Sequence, residues 1–493
     1  MLVYREHAVT DPWTQIVILA IEIVLLGYFA GVNAIYVWTA LTALFRLPAA
    51  VRREQATMTQ TLASRKALGV SVVVPAYNES EHVIATVRSL LAMTYPLFEI
   101  IVVNDGSSDD TLELLQSAFS LECAKASSAA PGFPTAAIRS VYRSASHPTL
   151  RVIDKVNGGK ADALNAGTNQ AQFPLLFFVD GDSFYVPQTL DHLALPFLRD
   201  DTTVICGAGI GVANDCTLRD GVLTDVRLPR STVAAFQVLE YLRAFFEARF
   251  SWASVNALGT VSGACGMYRR DIVVEAGGFR TDTIWEDMEM TIRVHHLLRA
   301  AERPYRVAFT PFIVCWTMVP ATVESLWKQR VGWHRHLSES MSLHRRLCFA
   351  PGTGAIGWAG LPYLFFYEWL APVAVPLGLT FAGIMFFFGY LALWAQAVLL
   401  ILVFALALPV SALSVLIEQR CFGLYRSRDV ARLLMLSVLE HVGYRQLMTL
   451  ANFAGIWMWL FRRTVQRRHV IGPLVRRYDP KVSADWRRER PGA

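Results

Sequence analysis

Hydrophobic positions along this chain fall into three regimes. From Ile16 to Phe45 the sequence is apolar with Glu22 as its only charge. That run exceeds the ~20 residues needed to cross a hydrocarbon core. From Gly69 into the 340s, short apolar blocks alternate with amphipathic stretches. From Leu361 to Ile417 the chain is apolar again, with Glu368 as its only charge. This last run is too long for one span and predicts two helices turning near Gly389 and Tyr390.

The middle regime predicts an α/β domain. Val70–Pro75, Phe98–Val103 and Leu175–Val179 are mainly apolar runs of strand length, and 80–93 between the first two is amphipathic. Such runs alternating with helices predict a mostly parallel sheet covered on both faces. Asn104-Asp105-Gly106 follows the second strand and Asp180-Gly181-Asp182 follows the third. Both lie where open α/β sheets bind ligands. The Ala-, Ser- and Pro-rich stretch 116–150 reads as a surface insertion.

Composition argues against an ordinary soluble enzyme. The 493 residues are 54% hydrophobic and 17% charged, against about 25% charged in soluble proteins. A net charge of +6 is no nucleic-acid balance. The seven cysteines show no metal or disulfide spacing and fit a reducing compartment. Arg46, Arg52, Arg53, Arg65 and Lys66 follow the first apolar run, so the positive-inside rule places the N-terminus outside and the α/β region in the cytoplasm. Residues 418–461 read as an interfacial helix and a short apolar segment, a possible fourth span. The Arg-rich tail 462–493 reads as cytoplasmic and lipid-facing.

Four further features carry candidate chemistry. The paired carboxylates Asp180 and Asp182 on one turn are hard oxygen ligands suited to Mg²⁺ or Mn²⁺ bridging a diphosphate. Asn157-Gly158-Gly159-Lys160 before a helix start is either a phosphate-facing loop or a plain helix entry. It is not a Walker A loop. Glu286-Asp287 opens the helical stretch Met288–His295, either as first-turn dipole partners or as a general base. Gln329-Arg330-Val331-Gly332-Trp333-His334-Arg335-His336 gathers cations and an aromatic just before the second apolar block.

Taken in order, these motifs resemble the membrane-embedded family 2 glycosyltransferases, which include bacterial cellulose, hyaluronan and poly-N-acetylglucosamine synthases. The matching stretches are Val73–Glu79, Val103–Asp109, Asp154–Gly167, Val179–Ser183, Gln237–Arg243, Ser262–Arg270, Glu286–Glu289 and Cys315–Pro320. The resemblance implies a GT-A (Rossmann-like) domain in the cytoplasm, inserted between transmembrane helices, working by inversion on a UDP-sugar with Mg²⁺ or Mn²⁺. It assigns the donor to Pro75, Tyr77, Glu79, Asp105, Lys160, Asp162, Asp180, Gln329 and Arg330. The metal falls to Asp180 and Asp182, and catalysis to Asp287 with Glu286. The acceptor falls to Trp333, Cys265 and Gly266.

One position departs from the family's Gln-x-x-Arg-Trp pattern: Gly332 stands where the donor-diphosphate arginine is expected, and the helical spacing nominates Arg335 in its place. The resulting partition is an external N-terminus (1–15), a span (16–45), a basic linker (46–69), the GT-A domain (70–320), interfacial helices (321–360), two spans (361–417), the interfacial segment and the tail. Three function readings follow. One is a processive synthase extending and secreting a β-linked exopolysaccharide, poly-GlcNAc- or glucan-like, from a bacterial plasma membrane with accessory subunits. A second is single transfer to a membrane lipid or lipid-linked acceptor. The third is a catalytically impaired partner.

Overall fold

The computed structural model describes residues 12–64, 67–124, 132–283, 285–387 and 407–466. Helix α1 (Pro12–Ser64) leads into β1 (Val70–Ala76), α2 (Val83–Leu91), β2 (Phe98–Asn104), α3 (Thr111–Phe119), β3 (Leu121–Ala124), β4 (Ile138–Ser144) and β5 (Leu150–Lys155). Then come α4 (Lys160–Gln170), β6 (Leu175–Val179), β7 (Ser183–Tyr185), α5 (Thr189–Arg199) and β8 (Thr203–Val212). A small hairpin, β9 (Thr217–Arg219) and β10 (Val222–Asp225), precedes α6 (Thr232–Tyr241), a π-helical turn Leu242–Arg249 and α7 (Phe250–Ser254). The domain closes with β11 (Cys265–Arg269), α8 (Arg270–Glu275), α9 (Asp287–Ala300), β12 (Arg306–Thr317) and α10 (Val323–His344).

The three apolar runs read as strands are β1, β2 and β6. Their sheet is mixed, which corrects the expectation of a mostly parallel one. Its order is β3-β4-β5-β2-β1-β6-β11-β8-β12-β7. The pairs β5-β2, β2-β1, β1-β6 and β8-β12 are parallel. Strand β11 runs against both β6 and β8, and the two ends of the sheet are antiparallel as well. An apolar run reports burial on both faces and is silent on strand direction. The chain leaves β8, forms helices 232–254, and re-enters with Cys265 beside Val179 at the end of β6. A strand entering from that edge must run backwards. The stretch 116–150 is likewise corrected: β3 and β4 form the sheet's outer edge, with many of their side chains partly or fully exposed.

Helix α1 changes environment along its length. Ile16, Val17, Leu19, Ile23 and Val24 are exposed, whereas Ala43, Leu47, Val51 and Glu54 line one buried stripe at helical spacing. The Glu54 carboxylate accepts hydrogen bonds from His192 on α5 (2.8 Å) and Thr310 on β12 (3.0 Å). The segment 46–64 is therefore helix docked on the domain, not an irregular linker. By length and composition one described helix suits a membrane, Ile16–Met58, with mean hydropathy 2.2. Segments Ile356–Trp369 and Ala371–Phe387, bent by 55°, pass only as one broken span. The turn expected at Gly389 and Tyr390, the first 11 residues and most of the tail lie outside the described residues.

At the sheet's ligand edge, Lys155 closes β5 fully buried, its ammonium 2.5 Å from Asp105 and 2.6 Å from Asp162. This triad joins the ends of β2 and β5 to the start of α4. Replacing Lys155 by Met leaves two buried carboxylates facing each other, and removing one member of such a cluster costs about 3–5 kcal/mol. Unfolding of Lys155→Met against wild type in detergent is expected to show a loss of that size. A loss under about 1 kcal/mol would contradict it.

Candidate active site

The site is assembled where β1, β2 and β6 end. After β6 the chain turns through Asp180-Gly181-Asp182, and Lys160, the first residue of α4, reaches across to it. The Lys160 ammonium lies 2.7 Å from Asp180 and 2.9 Å from Glu286. Burial works against that charge, yet Asp180 and Glu286 outweigh it and hold the ammonium well above the usual lysine pKa. Gly159 (φ +87°) supplies the left-handed backbone that aims α4 at the turn.

Asp287, the first residue of α9, is held from two sides. Its Oδ2 accepts from the Gly263 N–H at 3.0 Å and its Oδ1 from the Met288 N–H at 2.7 Å. A Cβ on Gly263 would lie 3.2 Å from the Lys160 ammonium and 3.5 Å from Glu286. Glycine there lets Asp287, Glu286 and the lysine converge. His336 on α10 stands 3.7 Å from Asp287 and packs against Trp285, ring centroids 5.4 Å apart.

These groups line one cavity of about 800 Å³. Lys160, Asp180, Asp182, Glu286 and Asp287 form one end. Gln329, Arg330 and Trp333 from α10 form a wall, and the cavity continues to Tyr36 and Thr39 on α1 and to Glu368. Arg330 pairs with Glu240 at 2.5 Å and lies 4.2 Å over the Trp333 ring. The acidic end is short of positive charge. Burial and the neighbouring Asp180 push the Asp182 carboxyl up. Glu79, half-buried beside Asp182 and Asp180, is pushed up to about 7 by burial and those two carboxylates.

A divalent cation fits this set. Among the described residues no group of three or more ligating side chains could hold a metal alone. A pair of carboxylates suits an ion that takes further ligands from a diphosphate.

Other expected site residues sit elsewhere. Asp105 accepts from Lys155 and from the Gly158 and Gly159 N–H groups at 3.0 and 2.8 Å, so its carboxylate shapes the glycine loop. Asp162 is buried against Lys155 and the Ala136 N–H, behind the cavity. Cys265 is buried in β11, and a Cβ on Gly266 would meet Tyr268 at 2.8 Å. Their neighbours Ser262, Gly263 and Ala264 line the cavity instead. Pro75 lies near the end of β1, and Tyr77 just beyond the strand is exposed, both outside the lining. Arg335 is not a lining residue, whereas its neighbours His334 and His336 are. It is His336, one residue on, that faces Asp287. A Cβ at Gly332 would meet only Trp285, at 3.7 Å.

Sequence reasoning passed over Lys155, Glu240 and Arg249. Lys155 closes a strand that also carries Arg151 and Asp154, so its sequence context gives no signal that it is buried. The other two sit on helices whose spacing does not reveal that they cover the sheet edge.

Comparisons with known proteins agree with this geometry. Residues 71–126 match the model of glycosyl transferase family 2, and residues 132–335 match that of glycosyltransferase like family 2. The chain is 29% identical over 266 residues to the poly-beta-1,6-N-acetyl-D-glucosamine synthase of Staphylococcus aureus (strain COL), covering 54% of this chain and 53% of that protein. The Staphylococcus epidermidis enzyme of the same name is 28% identical over the same length. The chain thus spans about half the length of the curated relatives it matches. In three dimensions it is similar to a mannosyltransferase from Pyrobaculum calidifontis, solved with GDP-Man and Mn²⁺. That likeness, at TM-score 0.51 and 18% identity over 90% of this chain and 99% of the other, shows the fold. The chain belongs to the family 2 glycosyltransferases, with a GT-A, Rossmann-like domain.

Proposed function

We propose that the protein transfers a hexose from a UDP-sugar to an acceptor hydroxyl with inversion, and that it acts repeatedly at a membrane to build a β-linked polysaccharide. The observation that carries this reading is the convergence of Asp180, Asp182, Glu286 and Asp287 around Lys160 in one cavity that runs on to α1. The names of the curated relatives support a poly-GlcNAc-like product.

Asp180 and Asp182 would hold Mg²⁺ or Mn²⁺. When bound, the ion supplies charge neutralisation on the departing diphosphate. The chain's own groups do the rest. Asp287, fixed by two backbone N–H groups, takes the proton of the acceptor hydroxyl as that oxygen attacks the anomeric carbon. Lys160 keeps Asp180 and Glu286 at a set spacing, so the base and the diphosphate end cannot drift apart. Trp333, steadied by Arg330, offers a flat face on which an acceptor sugar stacks. The exposed apolar part of α1 anchors the domain, and the arm of the cavity toward Tyr36 and Glu368 takes the growing acceptor.

UDP release by protein in lipid nanodiscs, over a panel of UDP-sugars with Mg²⁺ or Mn²⁺, tests the reaction. One donor is expected to be turned over, with Asp287→Asn lowering the rate about 10²–10⁴-fold. No release from any donor, or an unchanged Asp287→Asn, would overturn the assignment. Product sizing then separates a polymer from a single added sugar.

Asp182→Asn is a second test. Mn²⁺ affinity measured with UDP present is expected to fall at least about tenfold, the lower range seen for weakened metal sites, while the thermal midpoint stays within a few degrees. Unchanged Mn²⁺ affinity would remove the metal from this pair.

A further inference from the structure

The cavity's cations are, with one exception, already neutralised. Lys160 is held by Asp180 and Glu286, and Arg330 by Glu240. Arg243 and Arg445 share Glu440, each at 2.8 Å. Arg249 lines the same cavity, and among the described residues it has neither a carboxylate within 4 Å nor a hydrogen-bond acceptor. Its guanidinium lies 4.0 Å from the Phe245 ring centroid, four residues back. The residue ends the π-helical turn Leu242–Arg249, a geometry that re-aims side chains and recurs at functional sites.

The surroundings of Arg249 point to its ligand. The charged or titratable groups that act on it are Asp287, Tyr241 and Cys265. Cys265 pairs in register with Val179, the residue just before Asp180. The guanidinium therefore lies toward the Asp180–Asp182 turn and the base. At that end four carboxylates face one lysine, so even a divalent ion there leaves no spare positive charge for a diphosphate. Position 332 adds none, since its glycine opens only onto Trp285. Enclosure without a carboxylate pulls the Arg249 guanidinium down to about 10, a cost that an oxyanion beside it would relieve.

We propose that Arg249 is the oxyanion-binding residue of this cavity and that it engages the donor diphosphate as the nucleoside diphosphate departs. This rests on the donor reading given above. A guanidinium poised where negative charge develops stabilises the transition state more than the ground state, and its planar fork suits phosphate oxygens.

The test uses the full chain in nanodiscs with Mn²⁺ and two probes, inorganic pyrophosphate and UDP. Arg249→Gln is expected to weaken both about 10- to 100-fold, the range of a charge-assisted hydrogen bond. Arg249→Lys should lose less. Because the guanidinium has no protein carboxylate to leave behind, the thermal midpoint of Arg249→Gln should hold or rise, opposite to what a structural ion pair would show. Unchanged affinity for both probes would overturn the proposal. So would unchanged UDP affinity with a raised KM for an acceptor bearing a phosphate or carboxylate, which would move the oxyanion to the acceptor. Wild type that binds pyrophosphate but not UDP would overturn the nucleoside donor while leaving Arg249 in place. Wild type that binds neither would end both.

Discussion

The site depends on one ammonium group. Lys160 holds Asp180, at the end of a central strand, and Glu286, at the start of a helix more than a hundred residues on. Neither carboxylate has a cation of its own at that edge. Without the lysine, two acidic elements would repel across the cavity, and Asp287 would move with Glu286. The lysine is itself placed by the layer below. Asp105 gathers the N–H groups of Gly158 and Gly159, and Lys155 ties Asp105 to Asp162 on the first turn of α4. Two lysines in two stacked layers thus translate strand ends into a fixed spacing between Asp180 and the Glu286-Asp287 pair.

The same edge is where the sheet domain meets its helices. Because β11 re-enters the sheet beside β6, helices 232–254 lie across the ligand edge and contribute Glu240 and Arg249 to the cavity. Helix α1 is tied to the same body through Glu54, His192 and Thr310. Its docked half and its apolar half belong to one continuous helix, Pro12–Ser64, so the domain is tied directly to the exposed apolar stretch Ile16 to Leu26. This coupling explains why a soluble-looking α/β domain carries such long apolar flanks.

Much of this was legible in the sequence. The strands at Val70, Phe98 and Leu175 follow from mainly apolar runs, and the carboxylates after the latter two from their place beyond strand ends. Strand direction was not legible, because burial on both faces leaves the same pattern for parallel and antiparallel neighbours. The division of labour among the acidic residues was not legible either. Asp105 and Asp162 carry motif positions, but their shared ion-pair partner Lys155 closes a strand and shows itself only in the structure. Helical spacing grouped Arg335 with His336, and of the two only His336 lines the cavity.

The most direct measurement is an experimental structure of the Asp287→Asn variant with UDP and Mn²⁺ in nanodiscs. The account predicts Mn²⁺ on Asp182 and Asp180, bridging the diphosphate, with the open side of the nucleotide facing position 287. A nucleotide bound outside this cavity, or a metal placed away from that carboxylate pair, would contradict it.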